Sequence, residues 1–258
     1  MASSARANVL VVGGSSGIGL ATAKLALTNL PRANIVLVST NEEKLQKAVA
    51  ELKATSPNED ALIDHVVGDV SRIASQFNDM EAILKAAVAR FQSTIDHIIW
   101  TAGAYPHAPK SDHLTNDDIL EVAGARLFGP LTLVNLGKKY MTDSRKSSVT
   151  LSSGIAIYKP RPGSGRLIGI MSGFESAVRA LAVDLAPIRA NFVVLGPFRT
   201  AMLDRFAPDE AAIKAYADAT LFKSVGEVDE AAEAYLASMR CSFMTGSRID
   251  SDGGALLC

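Results

Sequence analysis

The stretch Val9-Leu10-Val11-Val12-Gly13-Gly14-Ser15-Ser16-Gly17-Ile18-Gly19 decides the fold of this 258-residue chain. Four consecutive aliphatic residues predict a short buried strand, and the glycines after them predict a tight turn that opens a helix from Gly17 to about Asn29. Gly13 must turn sharply after the strand. Gly17 and Gly19 leave the backbone bare, so that a pyrophosphate can approach and the helix can pack on the sheet. The helix N-terminus adds unpaired N–H groups and the positive end of its dipole. Strand, glycine turn and helix inside one βαβ unit distinguish a dinucleotide-binding turn from an ordinary one. The candidate phosphate contacts are Gly13, Ser15, Ser16, Gly17, Ile18 and Gly19.

Working outward, short apolar runs alternate with longer helical patterns. Asn34 to Val38, Ala61 to Val67, His97 to Trp100, Val149 to Ser152, Asn191 to Leu195 and Arg248 to Ser251 read as further strands. Glu42 to Ala54, Phe77 to Arg90, Asn116 to Tyr140 (one helix or two), Ser172 to Ala186 and Asp229 to Met239 read as helices. This alternation predicts an α/β fold: a doubly wound parallel sheet of the Rossmann type, covered by helices on both faces, with its ligand crevice at the C-terminal strand ends. No repeat, low-complexity tract or linker divides residues 1–258, which read as a single domain.

Lysine and arginine number 26 against 27 acidic residues, for a net charge of −1, and no basic stripe stands out, so nucleic acid is not an expected partner. Residues are 48% hydrophobic, enough for one large core. No apolar run approaches the ~20 residues of a bilayer span, and Met1 to Asn8 lack the apolar stretch of a signal peptide; no membrane partner is expected. Cys241 and Cys258 form neither a metal-spaced cluster nor a disulfide framework. No metal is expected, and a reducing, cytoplasmic compartment is the default.

After the second strand, NAD sites place an acid on the ribose 2′-hydroxyl. This chain has Ser39-Thr40-Asn41, with no acid until Glu42. Hydroxyls and an amide can donate to a 2′-phosphate that a carboxylate would repel, so NADP(H) is the expected cofactor. The same three residues also sit where the next helix needs a cap.

With these residues in place, the chain resembles the short-chain dehydrogenase/reductase family along almost its whole length. Val12 to Gly19 matches the family's glycine motif, with Val12 in place of a Thr. Asp69-Val70 matches its adenine-contacting pair, Thr101-Ala102-Gly103 its Asn-Ala-Gly segment, and Thr150 to Gly154 its active-site serine strand. Leu195-Gly196-Pro197-Phe198-Arg199-Thr200 matches the segment that wraps the nicotinamide, and Thr245-Gly246 with Asp252-Gly253-Gly254 matches the terminal signature. The resemblance implies cofactor contacts from Asp69, Val70, Thr101, Ala102, Gly103, Gly196, Pro197, Phe198 and Thr200. It also implies a homodimer or homotetramer, and a substrate lid around 200–225 whose Phe206, Tyr216 and Phe222 suit a hydrophobic small molecule.

The departures from the family restrict the chemistry. Aligned on Gly129, Arg126 stands where the family has its catalytic Asn, and Leu167 and Met171 stand at its Tyr and Lys. Leucine and methionine cannot pass a proton, so ordinary carbonyl reduction would lose a general acid worth ~10²–10⁴-fold. Two chemistries escape the problem. An iminium takes hydride without a proton in the same step, and a cyclisation or isomerisation needs only orientation of a reactive intermediate. Arg126 can donate a bidentate hydrogen bond to a carbonyl or enolate, and Ser153, or its neighbour Ser152, can donate another. Arg126 and Ser153 are the catalytic candidates.

The departures are similar to those of a divergent fungal subgroup that contains the reductase and Diels–Alderase enzymes of malbrancheamide- and paraherquamide-type pathways. Ile95 to Ile98, Arg126 ahead of Pro130-Leu131, Lys139-Tyr140-Met141 and Leu181 to Asp184 carry that likeness. Members use an acid and a Trp on the loop after the serine strand, whereas Lys159 to Arg166 here contains neither. The lead expectation is a specialised-metabolism reductase. A redox-silent cyclase is the rival, and a non-catalytic NADP(H) sensor the third possibility. Tyr158 reads as a packing residue, while Tyr105 and His107 would lie near the pocket mouth.

Overall fold

The computed structural model describes residues 6–103 and 114–258. Seven parallel strands form one sheet in the order β3-β2-β1-β4-β5-β6-β7. They are β1 (Asn8–Val12), β2 (Asn34–Ser39), β3 (Ile63–Val67), β4 (His97–Trp100), β5 (Ser148–Gly154), β6 (Arg189–Leu195) and β7 (Arg248–Ser251). The order reverses between β1 and β4, which pair with Val12 opposite Trp100. That junction is the switch point at which doubly wound sheets open a crevice for ligands.

Every residue of β1 is buried, as a strand covered on both faces requires. Alternate side chains feed two cores. Leu10, Val12, Met80, Leu84, Trp100, Leu133 and Phe192 lie on one face. Val9, Val11, Ala23, Leu45, Leu52, Tyr235 and Met239 lie on the other. The first core sits under α3 (Gln76–Phe91), α5 (Gly129–Gly137) and α7 (Gly173–Asp184); the second sits under α1 (Gly17–Asn29), α2 (Glu42–Thr55) and α10 (Val228–Arg240).

Three helices were not foreseen from the sequence pattern: α6 (Gly165–Met171), α8 (Ala201–Phe206) and α9 (Glu210–Asp218). Each is shorter than the span over which a 3.6-residue period stands out. The predicted helix over Asn116 to Tyr140 is continuous but changes pitch. It begins as α4 (Asn116–Ala123), widens to a π-turn at Gly124–Phe128, and resumes as α5. Pro130 has no N–H to offer the carbonyl of Arg126 four residues back, so a regular α-helix is interrupted there. This 25-residue helical run is long and apolar enough to cross a membrane by length and composition, with half of its most apolar window buried in the fold. The expectation that no apolar stretch approaches that length therefore needs correction: the strongly apolar part is a core helix packed on α3.

Candidate functional site

At the switch point the glycine turn has no room for side chains. Gly13 has φ +90, and a Cβ there would lie 2.5 Å from the amide nitrogen of Ala102. A Cβ on Gly19 would lie 2.4 Å from the carbonyl oxygen of Gly13 and 2.5 Å from Thr101 Oγ1. Thr101 stands where the family has Asn and does similar local work: its hydroxyl donates to the carbonyls of Val12 (3.1 Å) and Gly13 (3.3 Å), tying β4 to the turn. Ser16 is the N-cap of α1, yet its hydroxyl caps nothing. The turn therefore combines a helix N-terminus, with unpaired amides at Gly17 to Gly19, and a hydroxyl not used for capping.

The neighbouring segments complete a cradle. Ser15 Oγ donates to Ser39 Oγ at 3.0 Å, which joins the glycine turn to the end of β2. Thr40 is exposed beside them, and Asn41 spends its side-chain oxygen capping α2 through the amide of Lys44. Across the crevice, Thr200 caps α8 and brings its methyl within 3.7 Å of where a Cβ of Gly17 would be. Asp69 accepts from the amide and hydroxyl of Ser71 and from Arg72 Nε, while Val70 beside it is buried. Partial burial pushes the Asp69 pKa up, but the Ser71 bonds and the Arg72 charge outweigh it and hold the carboxyl below its usual value. Gly196 packs on the backbone of Asp252, Pro197 accepts from the amide of Gly226, and the Phe198 ring is buried against Gly226. Phe198 thus fixes its segment by packing. Backbone amides and hydroxyls, with no carboxylate at the end of β2, are a donor set that fits an anionic dinucleotide.

Beside this cradle the π-turn carries Arg126. A Cβ on Gly103 would lie 2.3 Å from Arg126 Nη2 and 2.6 Å from Cζ, so the guanidinium lies directly over the Gly103 backbone. Nη2 also approaches Met202 Sδ on α8 at 3.8 Å. The two serine candidates separate cleanly. Ser152 donates to the carbonyl of Trp100 at 2.6 Å and is structural. Ser153 is only 4% exposed, and its hydroxyl has no hydrogen-bond partner among the described residues. Leu167 and Met171 lie on α6, which packs against the π-turn; Met171 is buried and Leu167 is half-buried.

Tyr158 lies elsewhere. Its hydroxyl donates to Glu175 Oε2 on α7 at 2.6 Å, and Arg248 stacks on its ring. Burial and the Glu175 carboxylate push this phenol up to about 12, so it stays protonated at neutral pH. Tyr105 and His107 fall outside the described residues. Within residues 200–225, expected above as a lid, Tyr216 accepts a hydrogen bond from Arg161, and Phe222 is 78% exposed beside the turn at Gly253. Sequence reasoning missed Met202, Arg161 and Arg166. Arg166 donates to the Leu114 carbonyl and to Asn116 Oδ1, joining α6 to the start of α4. No local pattern marks such contacts, because each is made across the fold. The π-turn did leave a signal, in Pro130 one residue after Gly129.

Residues 12–255 match the family described as Enoyl-(Acyl carrier protein) reductase. The short-chain dehydrogenase/reductase ucsE of Acremonium sp is 31% identical over 96% of this chain and 95% of its own. The short-chain dehydrogenase/reductase ATR9 of Stachybotrys chlorohalonatus is 33% identical over 97% of each. The solved structure of MalC Reductase/Diels-Alderase from Malbranchea aurantiaca superposes with a TM-score of 0.89 at 31% identity, covering 98% of this chain and 97% of that one. A switch-point glycine cradle and these full-length similarities lead to one conclusion: the chain belongs to the short-chain dehydrogenase/reductase family, oxidoreductases that use a nicotinamide cofactor.

Proposed function

We propose that this protein is an NADP(H)-dependent reductase of specialised metabolism whose hydrophobic acceptor needs no proton from the enzyme while hydride is transferred. The observation that carries the reading is the wall of the site: the Arg126 guanidinium over Gly103, backed by an α6 that bears Leu167 and Met171 instead of a phenol and an ammonium. The cofactor, held by Gly13 to Gly19, Ser39, Thr40, Asp69, Val70, Thr101 to Gly103 and Gly196 to Thr200, supplies a hydride when bound. Half-buried Leu167 and buried Met171 give this wall no group that can pass a proton. Ser153 donates its unpaired hydroxyl to a carbonyl of the substrate. Arg126 repels a cation, so it belongs at a second carbonyl and orients the acceptor from there. An iminium fits this arrangement, because hydride converts it to a neutral amine without a proton.

A redox-silent cyclase is the second reading. The solved relative is a reductase and Diels–Alderase, and the same wall could fold a reactive intermediate into one shape. The family habit of pairing subunits, with Phe77, Leu120 and Phe128 exposed on α3, α4 and the π-turn, supports a homodimer or homotetramer. A cytoplasmic site of action is consistent with two free cysteines.

The test follows NADPH absorbance with N-methyl-dihydroisoquinolinium-3,3-dicarboxamide, which carries the two carbonyls, as the iminium and the matching tetralone dicarboxamide as the ketone. The proposal expects NADPH to be consumed with the iminium at least ~100-fold faster than with the ketone, since only the ketone needs the missing acid. Equal rates would overturn it. Conversion of a pathway intermediate without NADPH loss would establish the cyclase instead, and NADPH binding without any conversion would leave the sensor.

A further inference from the structure

The π-turn that presents Arg126 is fastened by a side chain some fifty positions earlier. Gln76, the first residue of α3, is 5% exposed. Its amide nitrogen donates to the carbonyl of Val70 at 3.1 Å and to the carbonyl of Gly124 at 3.0 Å. Gly124 opens the π-turn, and its carbonyl also accepts the i→i+5 bond from the amide of Gly129 that defines the widened turn. One carbonyl therefore holds both the internal bond of the π-turn and the external bond from Gln76.

The packing agrees with this arrangement. A Cβ on Gly124 would lie 1.9 Å from the Ser71 carbonyl oxygen, and one on Gly129 would lie 2.8 Å from the Val70 carbonyl oxygen. In a regular α-helix, residues five apart point ~140° away from each other. The widened turn lets both glycines face the Val70–Ser71 backbone. Gln76 bridges the two segments at the point of closest approach. Amide donors in such a buried place are paired almost without exception, and removing them leaves two carbonyls poorly satisfied.

We infer that Gln76 is a positioning residue for Arg126: it locks the pitch change that aims the guanidinium over Gly103, and ties it to the Asp69-Val70 segment. The inference rests on the role given to Arg126 above. Gln76 touches no reacting atom. Pro130 keeps the helix irregular in either case, but without the two Gln76 bonds the widened turn loses its fixed place against the Val70–Ser71 backbone, and Arg126 shifts with it.

Two readouts test this, one of which needs no substrate. In protein carrying ¹⁵N-arginine, the Arg126 Nε resonance is assigned by its loss in Arg126→Lys. Gln76→Leu should shift or broaden that resonance while leaving the buried Arg189 resonance in place. With the dicarboxamide iminium, Gln76→Leu should lower kcat ~10–100-fold, the scale on which misplacement of a site group acts, while NADPH Kd stays within ~3-fold. In the Arg126→Ala background, Gln76→Leu should change kcat by less than ~2-fold, because a group that acts only through Arg126 has nothing left to position. An unmoved Arg126 resonance, or losses that multiply in the double variant, would overturn the inference. Should wild-type protein fail to consume NADPH with the iminium, the function proposal falls while the resonance still judges Gln76. Should Gln76→Leu fail to fold, Gln76→Glu replaces it. Only its protonated carboxyl can donate to Gly124, so the Arg126 resonance should return toward its wild-type position as pH falls, and a pH-independent resonance would count against the inference.

Discussion

The two rims of the sheet are built on opposite rules. At the N-terminal ends of the strands, buried polar groups are closed on one another. Asn34 donates to Asn8, Asn8 to the Thr94 carbonyl, and Asp96 accepts from the amide of Asn8. His97 pairs with Ser148. Arg189, buried without a carboxylate, donates to the carbonyls of Arg145, Lys146, Ser238, Met239 and Met244, and so caps the end of α10. Ser147 is an exception there, with no partner for its hydroxyl among the described residues. The C-terminal ends pair some hydroxyls, those of Ser152 and Ser15, but hold other donors open: the Ser16 hydroxyl caps nothing and the Ser153 hydroxyl has no partner among the described residues. Buried pairing stabilises, whereas unspent donors cost stability that only a ligand returns. The two rims thus divide stability from function along one sheet, and substitutions should separate them.

The largest expected effect is on the open rim. Arg126→Ala should lower turnover of the dicarboxamide iminium ~10²–10³-fold, the usual loss on removing a positioned donor. NADPH Kd should stay within ~3-fold and the thermal midpoint should hardly move. A large fall in melting temperature would place Arg126 with the structural residues and erase the contrast between rims. Gly19→Ala should come next. Its methyl would meet the Gly13 carbonyl and Thr101 Oγ1, atoms of the framework that cannot swing aside. Overpacking of this kind costs ~1–3 kcal/mol, and NADPH Kd read by nicotinamide fluorescence should rise ~10–100-fold. Unchanged affinity would show that the cofactor does not use this turn.

The closed rim should respond through stability alone. Burial, and then the charge of Arg189, pull the His97 imidazole down to about 3 from its usual 6.5. Between those values the folded chain keeps His97 neutral while the unfolded chain binds a proton. Its contribution is therefore complete above pH ~6.5 and is lost as pH falls toward 3, at ~1.4 kcal/mol per pH unit. Urea unfolding at pH 7 and pH 5 should show wild type losing ~2 kcal/mol more than His97→Asn over that interval. Parallel losses would mean that the imidazole is hydrated in the folded state.

The closed architecture was legible for a physical reason: strands buried on both faces must be continuous apolar runs, and a dinucleotide turn must be glycine-rich, so both leave local marks. Val9 to Gly19 carries each of them. Arg126, Leu167 and Met171 were singled out by their register against a family pattern, and the fold puts Arg126 over Gly103. The choice between Ser152 and Ser153 was not legible, because it depends on which hydroxyl meets the Trp100 carbonyl, a contact about fifty residues away in sequence. Residues 200–225 were expected to form a substrate lid, and the contact that ties this segment to the loop after β5 was not legible. Tyr216 read as a lid residue suited to a hydrophobic molecule, and in the fold its ring stacks on Arg161.

That anchor predicts the smallest effect. The Arg161 guanidinium stacks 4.3 Å from the Tyr216 ring centre, and Nη1 donates to the phenol at 2.9 Å, joining the loop after β5 to α9. Exposed cation–π pairs contribute ~0.5–1 kcal/mol. Tyr216→Leu should therefore raise KM for the dicarboxamide iminium ~2–5-fold, leave kcat unchanged and lower the unfolding free energy by no more than ~1 kcal/mol, while Tyr216→Phe, which keeps the stacking, should recover most of the loss. The contact belongs to neither rim: it touches no core residue and spends no donor on the crevice. If Tyr216→Leu instead costs as much in kcat as Arg126→Ala, the lid is part of the catalytic wall, and the open rim extends past the strand ends to α9.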